Sequence, residues 1–257
     1  MRIHPTAIIS PDAKLAADVV VGAFTVIGAQ VEIDAGTQLA PHVVINGPTR
    51  IGRDNRIFQF ASIGDAPQDK KYNGEPTQLE IGDRNVFREC CTINRGTVTG
   101  HGITRIGSDN LFMAYSHVAH DCIVGNKCIL ANNAGLAGHV ELDDWVILSA
   151  YSGVHQFCKV GTHAFLGNNA AVTRDVPPYV IAVGSPAEPH SVNVEGLKRR
   201  GFTAEQIRNI RHAYRVLYRS KLKLEEAMTQ LGELGKTQPE VQVFVDFMPR
   251  SQRSLIR

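Results

Sequence analysis

The chain has 257 residues, of which 43% are hydrophobic, so it is long enough for one large and one small domain with a sizeable core. Its formal net charge of +2 does not call for nucleic acid or an anionic membrane as a partner. Because it has neither an apolar run of membrane-spanning length nor a signal-peptide pattern, we expect a soluble, cytoplasmic protein.

The first predicted element is a six-residue repeat that begins at Ile3. From there to Ile63 every sixth residue is aliphatic, the next position is often small, and the fifth is often Ala, Val, Thr or Cys. A unit of this length cannot bury its apolar side alone, so successive units must stack. The repeat therefore predicts a parallel β-helix filled by a column of aliphatic side chains.

Two insertions interrupt the repeat. Residues 65–79 are polar and rich in turn formers, and because Ile81 keeps the original phase we expect a loop extruded from an intact coil. A second break at residues 96–105 shifts the phase by one position. From Ile106 to Val172 every sixth residue is again apolar, so the β-helix is predicted to resume.

The chain has five cysteines, an odd number without a C-x-x-C pair. This spacing argues against a disulfide framework and against a zinc knuckle. Cys122, Cys128 and Cys158 all occupy the fifth position of the repeat. That position needs a small buried side chain, so these thiols are predicted to be packing residues.

The repeat ends at residues 175–179, where two prolines lack the N–H that a strand ladder needs. After Pro189 the composition changes to helix formers and charged residues. The sequence thus predicts a mainly β protein with two domains, a β-helix at residues 1–187 and a small α-helical C-terminal domain at residues 188–257.

Thr203 and Gln206 have the spacing of a capping box and predict a helix that runs to about residue 220. Further helices are expected at about residues 224–234 and from about residue 239. Four arginines recur at helical spacing on the first helix: Arg208, Arg211, Arg215 and Arg219. This arginine stripe is either a solvated face or a docking surface for an acidic partner.

The repeat also predicts which polar residues meet. Three strands of a hexapeptide helix make one coil, so residues 18 apart in the sequence should stack on one face. His120 and Gly138 are 18 apart, as are Asp121 and His139. Three further residues belong to the same strip: His117, His155 and Gln156.

This strip indicates acid–base chemistry. His120 is a candidate general base, because an imidazole titrates near neutral pH. Asp121 is a candidate to hold its tautomer, although neighbouring strand residues point to opposite sides, so a direct contact requires local turn geometry. Gly138 has no side chain to crowd the space above His120, which leaves a backbone N–H free to face an oxyanion. The plainer interpretation is a set of surface histidines on a polar face.

Zinc binding is a competing use of the same residues. His117, His120 and His139 are candidate ligands, since hexapeptide carbonic anhydrases bind zinc through three histidines of neighbouring subunits. No cysteine joins the strip, and such a hydratase needs neither the polar loop nor the basic helical tail. We therefore expect no metal at this site.

Eight motifs spread over nearly the whole chain resemble one family. They are residues 68–77 (QDKKYNGEPT), 81–85 (IGDRN), 94–97 (NRGT), 117–122 (HVAHDC), 136–140 (LAGHV), 154–158 (VHQFC), 175–180 (DVPPYV) and 193–202 (NVEGLKRRGF). Together they resemble the acyl-carrier-protein-dependent UDP-N-acetylglucosamine O-acyltransferases, the first enzymes of lipid A synthesis.

The resemblance implies a left-handed β-helix with a helical C-terminal domain, assembled as a homotrimer with active sites between subunits. It implies that His120 takes the proton of the glucosamine 3-hydroxyl, which attacks the thioester of a 3-hydroxyacyl carrier protein. Asp121 would orient His120, and the Gly138 N–H would stabilise the oxyanion. Neither a covalent acyl-enzyme nor a cofactor is expected.

The resemblance also implies substrate contacts. Those around the sugar and its phosphates are Gln68, Asp69, Lys71, His117 and His139. Those at the nucleotide end are His155, Gln156, Asn193, Glu195, Arg199 and Arg200, where guanidinium groups suit phosphate. The acidic carrier protein is expected to meet the arginine stripe and the basic run at residues 198–200.

Two positions depart from the family pattern. Asn94 stands where relatives often have a histidine near the phosphates. Asn168 follows Gly167 at the closed end of the acyl pocket, where relatives can carry a second glycine. The larger side chain predicts a shorter 3-hydroxyacyl chain.

Several other functions are compatible with parts of the pattern. An N-acyltransferase that acts on a 3-amino UDP sugar shares nearly every motif. The related enzyme of the third lipid A step normally has an additional N-terminal domain, whereas the repeats here start at Ile3. A metal-dependent hydratase and a non-catalytic β-helix scaffold are alternatives from other classes.

Overall fold

The structure, a computed structural model, describes residues 2–257. Residues 2–183 wind as a left-handed parallel β-helix whose three faces are sheets of ten, nine and eight strands, and the antiparallel strand Glu188–Val192 extends the first sheet to eleven. Each coil gives one strand to each face, and Ile27 pairs with Ile45, which is 18 residues further on. The fold class predicted from the repeat is therefore confirmed.

Up to Ala171–Val172 the strands follow one another in rotation around the faces, and the last two strands both lie on face 1. Face 1 holds β1 Arg2–Ile3, β4 Val20–Val21, β7 Gln38–Leu39, β10 Arg56–Ile57, β13 Val86–Phe87, β16 Leu111–Phe112, β19 Ile129–Leu130, β22 Ile147–Leu148, β25 Phe165–Leu166, β27 Val180–Val183 and β28 Glu188–Val192. Face 2 holds β2 Ile8–Ile9, β5 Val26–Ile27, β8 Val44–Ile45, β11 Ser62–Asp65, β14 Thr92–Asn94, β17 His117–Val118, β20 Gly135–Leu136, β23 Gly153–Val154 and β26 Ala171–Val172. Face 3 holds β3 Lys14–Leu15, β6 Val31–Ile33, β9 Thr49–Ile51, β12 Gln78–Ile81, β15 Ile103–Ile106, β18 Ile123–Val124, β21 Glu141–Leu142 and β24 Lys159–Val160.

The core is the column of side chains inside the triangle. The first-position residues Ile45 and Ile63 are fully buried, and so are Cys122, Cys128 and Cys158 at fifth positions, as predicted. Burial of one large aliphatic side chain contributes about 1.5–3 kcal/mol, so the repeat stabilises the fold at each unit whose first residue is buried, from Val21 onward.

The edges between faces are tight turns. At the fourth position of most six-residue units the backbone is left-handed, with φ of +58° at Asp121, +62° at His139 and +66° at Phe157. Type II turns need this conformation at their third residue. We name the edges by the faces they join: the first edge leads from face 1 to face 2, the second from face 2 to face 3, and the third from face 3 to face 1.

Both insertions leave the β-helix at the second edge, between β11 and β12 and between β14 and β15. The predicted loops at residues 65–79 and 96–105 were too long at their C-terminal ends. Residues Gln78–Ile81 and Ile103–Ile106 pair as four-residue strands, so both loops end earlier. Leu79 is fully buried in this pairing, which explains why the last loop residues become strand.

The C-terminal part begins with an antiparallel strand and continues as helices. β28 pairs with β27, so strand pairing continues past residue 187, the predicted end of the β-helix domain. The helices are α1 Val194–Arg199, α2 Ala204–Arg219, α3 Leu224–Gly235 and α4 Pro239–Phe247, followed by a 3-10 turn at Met248–Arg250. Thr203 and Gln206 form the predicted capping box at α2, whereas α1 was not predicted. None of these helices, nor any other in residues 2–257, has the length and apolar character needed to span a membrane.

Candidate active site

The second edge carries a cavity of about 950 Å³ beside the two insertion loops. Six of the predicted site residues line it: Gln68, Asp69, Lys71, His120, His139 and Gln156. The first loop supplies three of them, and successive turns of the edge supply the others. The 18-residue repeat therefore gathers side chains that are far apart in the sequence.

His120 and Asp121 are in direct contact at this edge. The His120 Nδ1 and Asp121 Oδ2 atoms are 2.8 Å apart. Consecutive residues of a strand would point to opposite sides, but the left-handed φ of Asp121 turns its carboxylate back towards the preceding ring. The local turn geometry that such a contact requires is thus present.

Asp121 is buried and held by the second loop. It accepts hydrogen bonds from the Thr97 hydroxyl at 2.6 Å, the Thr97 backbone N–H at 3.0 Å and the His101 backbone N–H at 2.9 Å. Burial works to raise the pKa of Asp121, but the hydrogen bonds from His120 and Thr97 outweigh it and lower the pKa to about 2. An ionised Asp121 requires the proton of His120 on Nδ1, which leaves Nε2 as the basic atom.

Gly138 lies directly above the His120 ring. A Cβ atom at this position would be 2.6 Å from His120 Cε1 and 2.7 Å from Nε2, so only glycine fits without a shift of the imidazole. The Gly138 N–H donates to no acceptor within residues 2–257. This buried N–H has no partner and lies beside the basic nitrogen of His120. It can therefore donate a hydrogen bond to an oxygen on which negative charge develops.

His139 packs between His120 and Phe157. Its ring is edge-on to His120, with ring centroids 5.1 Å apart, and stacks on Phe157 at 4.4 Å with an interplanar angle of 9°. Burial lowers the pKa of His139, partly offset by Asp121 and reinforced by the neighbouring histidines. His139 therefore favours the neutral form, which both donates and accepts a hydrogen bond.

Comparison with known proteins gives a consistent result. Residues 175–256 match the family model described as UDP-N-acetylglucosamine O-acyltransferase, domain 2, and residues 103–138 match the bacterial transferase hexapeptide model of six repeats. The solved structure of UDP-N-acetylglucosamine O-acyltransferase from Moraxella catarrhalis is 46% identical, with a TM-score of 0.98, and the match covers 100% of both chains. The chain belongs to the UDP-N-acetylglucosamine O-acyltransferase family.

Two further solved structures extend this comparison. The Francisella novicida UDP-N-acetylglucosamine acyltransferase is 45% identical over 99% of this chain and 94% of that one, with a TM-score of 0.97. The Arabidopsis UDP-N-acetylglucosamine acyltransferase is 34% identical over 99% of this chain and 100% of that one, with a TM-score of 0.87. The family predicted from the motifs is confirmed, and the protein is an acyltransferase.

Two predicted histidines of this acyltransferase lie beside the cavity without lining it. His117 projects from face 2 with its Nδ1 2.7 Å from the Thr92 hydroxyl, and burial lowers its pKa. His155 is exposed one coil above His139. Asn94 is almost fully buried and donates to the Ala66 carbonyl, so it ties down the start of the first loop.

Four predicted nucleotide contacts of the acyltransferase lie on the third edge. Asn193, Glu195, Arg199 and Arg200 belong to α1 and its ends. Asn193 donates to the His163 carbonyl at 2.9 Å, and the Arg200 Nη1 lies 2.9 Å from the His163 Nδ1. His163 is a turn residue of the third edge, so within one chain these contacts are separated from the His120 cavity.

The predicted acyl-pocket residues lie on the remaining edge. Gly167 is buried beside Val183, where a Cβ atom would come within 2.8 Å of the valine side chain, and Asn168 is exposed at the first edge. One chain of the acyltransferase therefore distributes its predicted site residues over all three edges.

Within residues 2–257 one group of side chains has donors suitable for a metal ion. His120, Asp121 and His139 each offer a ligand atom, and these atoms lie within 4.8 Å of one another. His117, which the zinc hypothesis included, is not in this group. Asp121 is already committed to hydrogen bonds from Thr97, His101 and His120, so a cation would have to displace them.

Sequence reasoning missed several residues of the cavity. They are Lys70, Thr99, Gly100, His101, Glu141, Phe157, Lys159 and Gln252. The 18-residue rule would have found Phe157, which follows Asp121 and His139 in the same column. The same rule would have found Glu141 and Lys159, which are 18 apart and pair on face 3. The others depend on loop conformation or on the return of the C-terminus, neither of which a repeat encodes.

Proposed function

We propose that this acyltransferase transfers a 3-hydroxyacyl chain from acyl carrier protein to the glucosamine 3-hydroxyl of UDP-N-acetylglucosamine, the first step of lipid A synthesis. The observation that carries the proposal is the contact between His120 and the ionised Asp121 carboxylate at 2.8 Å, beneath the free Gly138 amide. The family to which the chain belongs supports the choice of substrates.

In the proposed reaction His120 Nε2 takes the proton of the 3-hydroxyl as its oxygen attacks the thioester carbonyl. The resulting imidazolium is stabilised by Asp121, and the Gly138 N–H donates to the oxyanion. The tetrahedral intermediate then collapses, the carbon–sulfur bond breaks, and the leaving thiolate takes the proton from His120. The product is an ester and a free carrier thiol.

No enzyme nucleophile is needed in this scheme. Cys122 follows Asp121 directly, but it is fully buried and burial raises its pKa to about 12, so it is not a thiolate at neutral pH. Within residues 2–257 the cavity lining contains neither serine nor cysteine. The acyl group is therefore expected to pass directly between the two substrates.

The acceptor sugar and its phosphates fit the cavity on the second edge. Gln68, Asp69 and Lys71 from the first loop face His139 and Gln156 across it. The lysine offers a cation to phosphate, and the carboxylate and amides offer acceptors and donors to sugar hydroxyls. We propose that His117 and His155 border the same ligand.

We propose a homotrimer in which the second edge of one subunit faces the third edge of the next. His120 and the α1 residues Asn193, Glu195, Arg199 and Arg200 lie on different edges, separated by face 3. A strand unit of six residues spans about 20 Å, so a site within one chain would need a ligand stretched across that face. If the third edge of a neighbouring subunit lies against the second edge, the ligand does not have to span face 3.

The arginine stripe is the proposed docking surface for the acidic carrier protein. Arg208, Arg211, Arg215 and Arg219 line a cavity of about 680 Å³ between α2 and β28, and all four are exposed. None forms a salt bridge with a residue in the range 2–257.

Replacement of Arg211 and Arg215 by alanine should raise the KM for the acyl carrier protein without changing the KM for the sugar nucleotide. Added salt should raise the KM for the carrier protein in the same way, because it screens the charges.

Asn168 at the first edge is proposed to limit the acyl chain. Its side chain projects where glycine would leave open space, so an Asn168→Gly protein should accept longer 3-hydroxyacyl chains. A matched series of acyl carrier proteins tests this, and an unchanged chain-length preference would exclude the role.

The function itself is tested by product analysis with defined UDP sugars and 3-hydroxyacyl carrier proteins. We expect an ester at the 3-hydroxyl of UDP-N-acetylglucosamine. Faster acylation of a 3-amino UDP sugar would instead support the N-acyltransferase alternative.

A further inference from the structure

The C-terminal tail, residues 250–256, folds back onto the last coils of the β-helix. Its anchor is Asp175, which is fully buried and accepts hydrogen bonds from the Ser251 hydroxyl at 2.6 Å and from the N–H groups of Gln252 at 2.9 Å and Arg253 at 3.1 Å. The Asp175 backbone also pairs with the tail on both sides, accepting from the Ile256 N–H. A buried carboxylate with this many donors fixes the tail in one register.

The anchored tail reaches the cavity on the second edge. Gln252 lines the cavity, and the Arg253 guanidinium lies 5.4 Å from the centre of the Phe157 ring. Arg250 holds the start of the tail through salt bridges to Asp143 at 2.8 Å and Glu141 at 3.2 Å. The tail is therefore a wall of the cavity as well as the end of the helical domain.

Phe157 connects this wall to the catalytic histidines. Its ring stacks on His139 at 4.4 Å, and the Arg253 guanidinium lies over the same ring. His139 in turn is edge-on to His120 and its Nε2 lies 3.9 Å from Asp121 Oδ2. Arg253, Phe157 and His139 thus form one continuous stack that ends at the proposed base.

We propose that Arg253 is a positioning residue for the acceptor sugar. A cation over an aromatic ring restrains it, and Phe157 is 37% exposed, so without Arg253 its ring gains freedom. A mobile Phe157 releases His139, whose ring direction decides whether its nitrogens meet the sugar. The inference rests on the proposed role of His139 in binding that sugar.

The test measures the KM for UDP-N-acetylglucosamine and its Kd by calorimetry in an Arg253→Ala protein. Both should rise about two- to fivefold with kcat nearly unchanged, and Arg253→Lys should restore most of the loss because it keeps the cation. Arg56→Ala is the matched control, since Arg56 lies 5.5 Å from the Phe58 ring on face 1 and should change neither constant. Equal unfolding temperatures would exclude a general loss of structure.

A double substitution tests whether Arg253 acts through Phe157. Phe157→Ala should raise the Kd further than Arg253→Ala, and the two changes together should equal Phe157→Ala alone, since the arginine then has no ring to hold. Additive effects, or a Kd for Arg253→Ala equal to wild type, would overturn the inference. Wild-type acyl transfer in the same assay tests the proposed function separately, because the Kd values do not depend on turnover.

Discussion

The second and third edges of the β-helix are built alike but treat their histidines differently. Both stack rings at the left-handed turn position: His139 on Phe157 at the second edge, and His163 between Trp145 and Tyr179 at the third. At the second edge the rings border an open cavity. At the third edge α1 covers His163, which accepts from Arg200.

This difference shows that a histidine in the repeat is not a catalytic signal by itself. Burial, together with the Arg200 charge, lowers the pKa of His163 to about 4, so it stays neutral and serves as a structural acceptor. His120 instead has a carboxylate partner on Nδ1 and open space at Nε2. The two histidines therefore differ in their hydrogen-bond partner and in their access to solvent. These two properties, and not the position in the repeat, indicate which histidine is structural.

Removal of the His120 imidazole should have the largest effect. A His120→Ala protein is expected to lose about 10²- to 10⁴-fold in kcat, the usual contribution of a general base. His42 is an exposed turn histidine on the first edge, so His42→Ala should leave kcat at the wild-type value. A comparable loss of kcat in the two proteins would contradict a catalytic role that is specific to the second edge.

A methyl group at Gly138 should be nearly as harmful. Its Cβ would lie 2.6 Å from the His120 ring, so Gly138→Ala should displace the imidazole of the proposed base and the Gly138 N–H, and reduce kcat by about 10²-fold. A Cβ at Gly232 in α3 meets no atom within 4 Å, so Gly232→Ala is the control and should be silent. Steady-state kinetics on both proteins decide the matter.

Loss of a guanidinium from the third edge should affect binding rather than chemistry. Arg199 is exposed on α1, and its replacement by alanine should raise the KM for UDP-N-acetylglucosamine about tenfold or more, since charge-assisted hydrogen bonds contribute about 1.5–3 kcal/mol. The kcat should stay close to wild type. A fall in kcat with an unchanged KM would remove Arg199 from the nucleotide site.

Acid should lower the free energy of unfolding through one group at each edge, in separate pH ranges. In the folded protein the pKa of His163 is depressed to about 4, whereas its unfolded pKa is near 6.5. Its contribution to the free energy of unfolding is therefore complete above pH 6.5 and is lost as the pH falls to about 4. Asp121, depressed to about 2, loses its contribution of about 2 kcal/mol as the pH falls from about 4 to about 2. Denaturant unfolding from about pH 7 to about pH 2 measures both contributions.

Substitutions assign each range. A His163→Phe protein keeps the ring stack and should lose part of the pH dependence between 6.5 and 4, since His117 and His139 also have lowered pKa values. Asp121→Asn should lose only the dependence below about pH 4. If both proteins kept the wild-type profile, these groups would not be the source of the acid sensitivity.

The sequence predicted best what the repeat determines. The 18-residue spacing paired His120 with Gly138 and Asp121 with His139, because a regular coil converts sequence distance into contact. It could not show that Thr97 and His101 would hold Asp121, since that depends on how an irregular loop closes. The tail on Asp175 was missed for the same reason: it is a contact between residues 76 or more positions apart that no period encodes.

The central claim is that the site for the sugar nucleotide combines the second edge of one subunit with the third edge of another. Mixed oligomers of His120→Ala and Arg199→Ala chains test it most directly, because only a shared site can pair an intact second edge with an intact third edge. We predict acyl transfer at low UDP-N-acetylglucosamine well above the sum of the two variants assayed alone. Activity equal to that sum, in oligomers shown to contain both chains, would mean that each site lies within one chain.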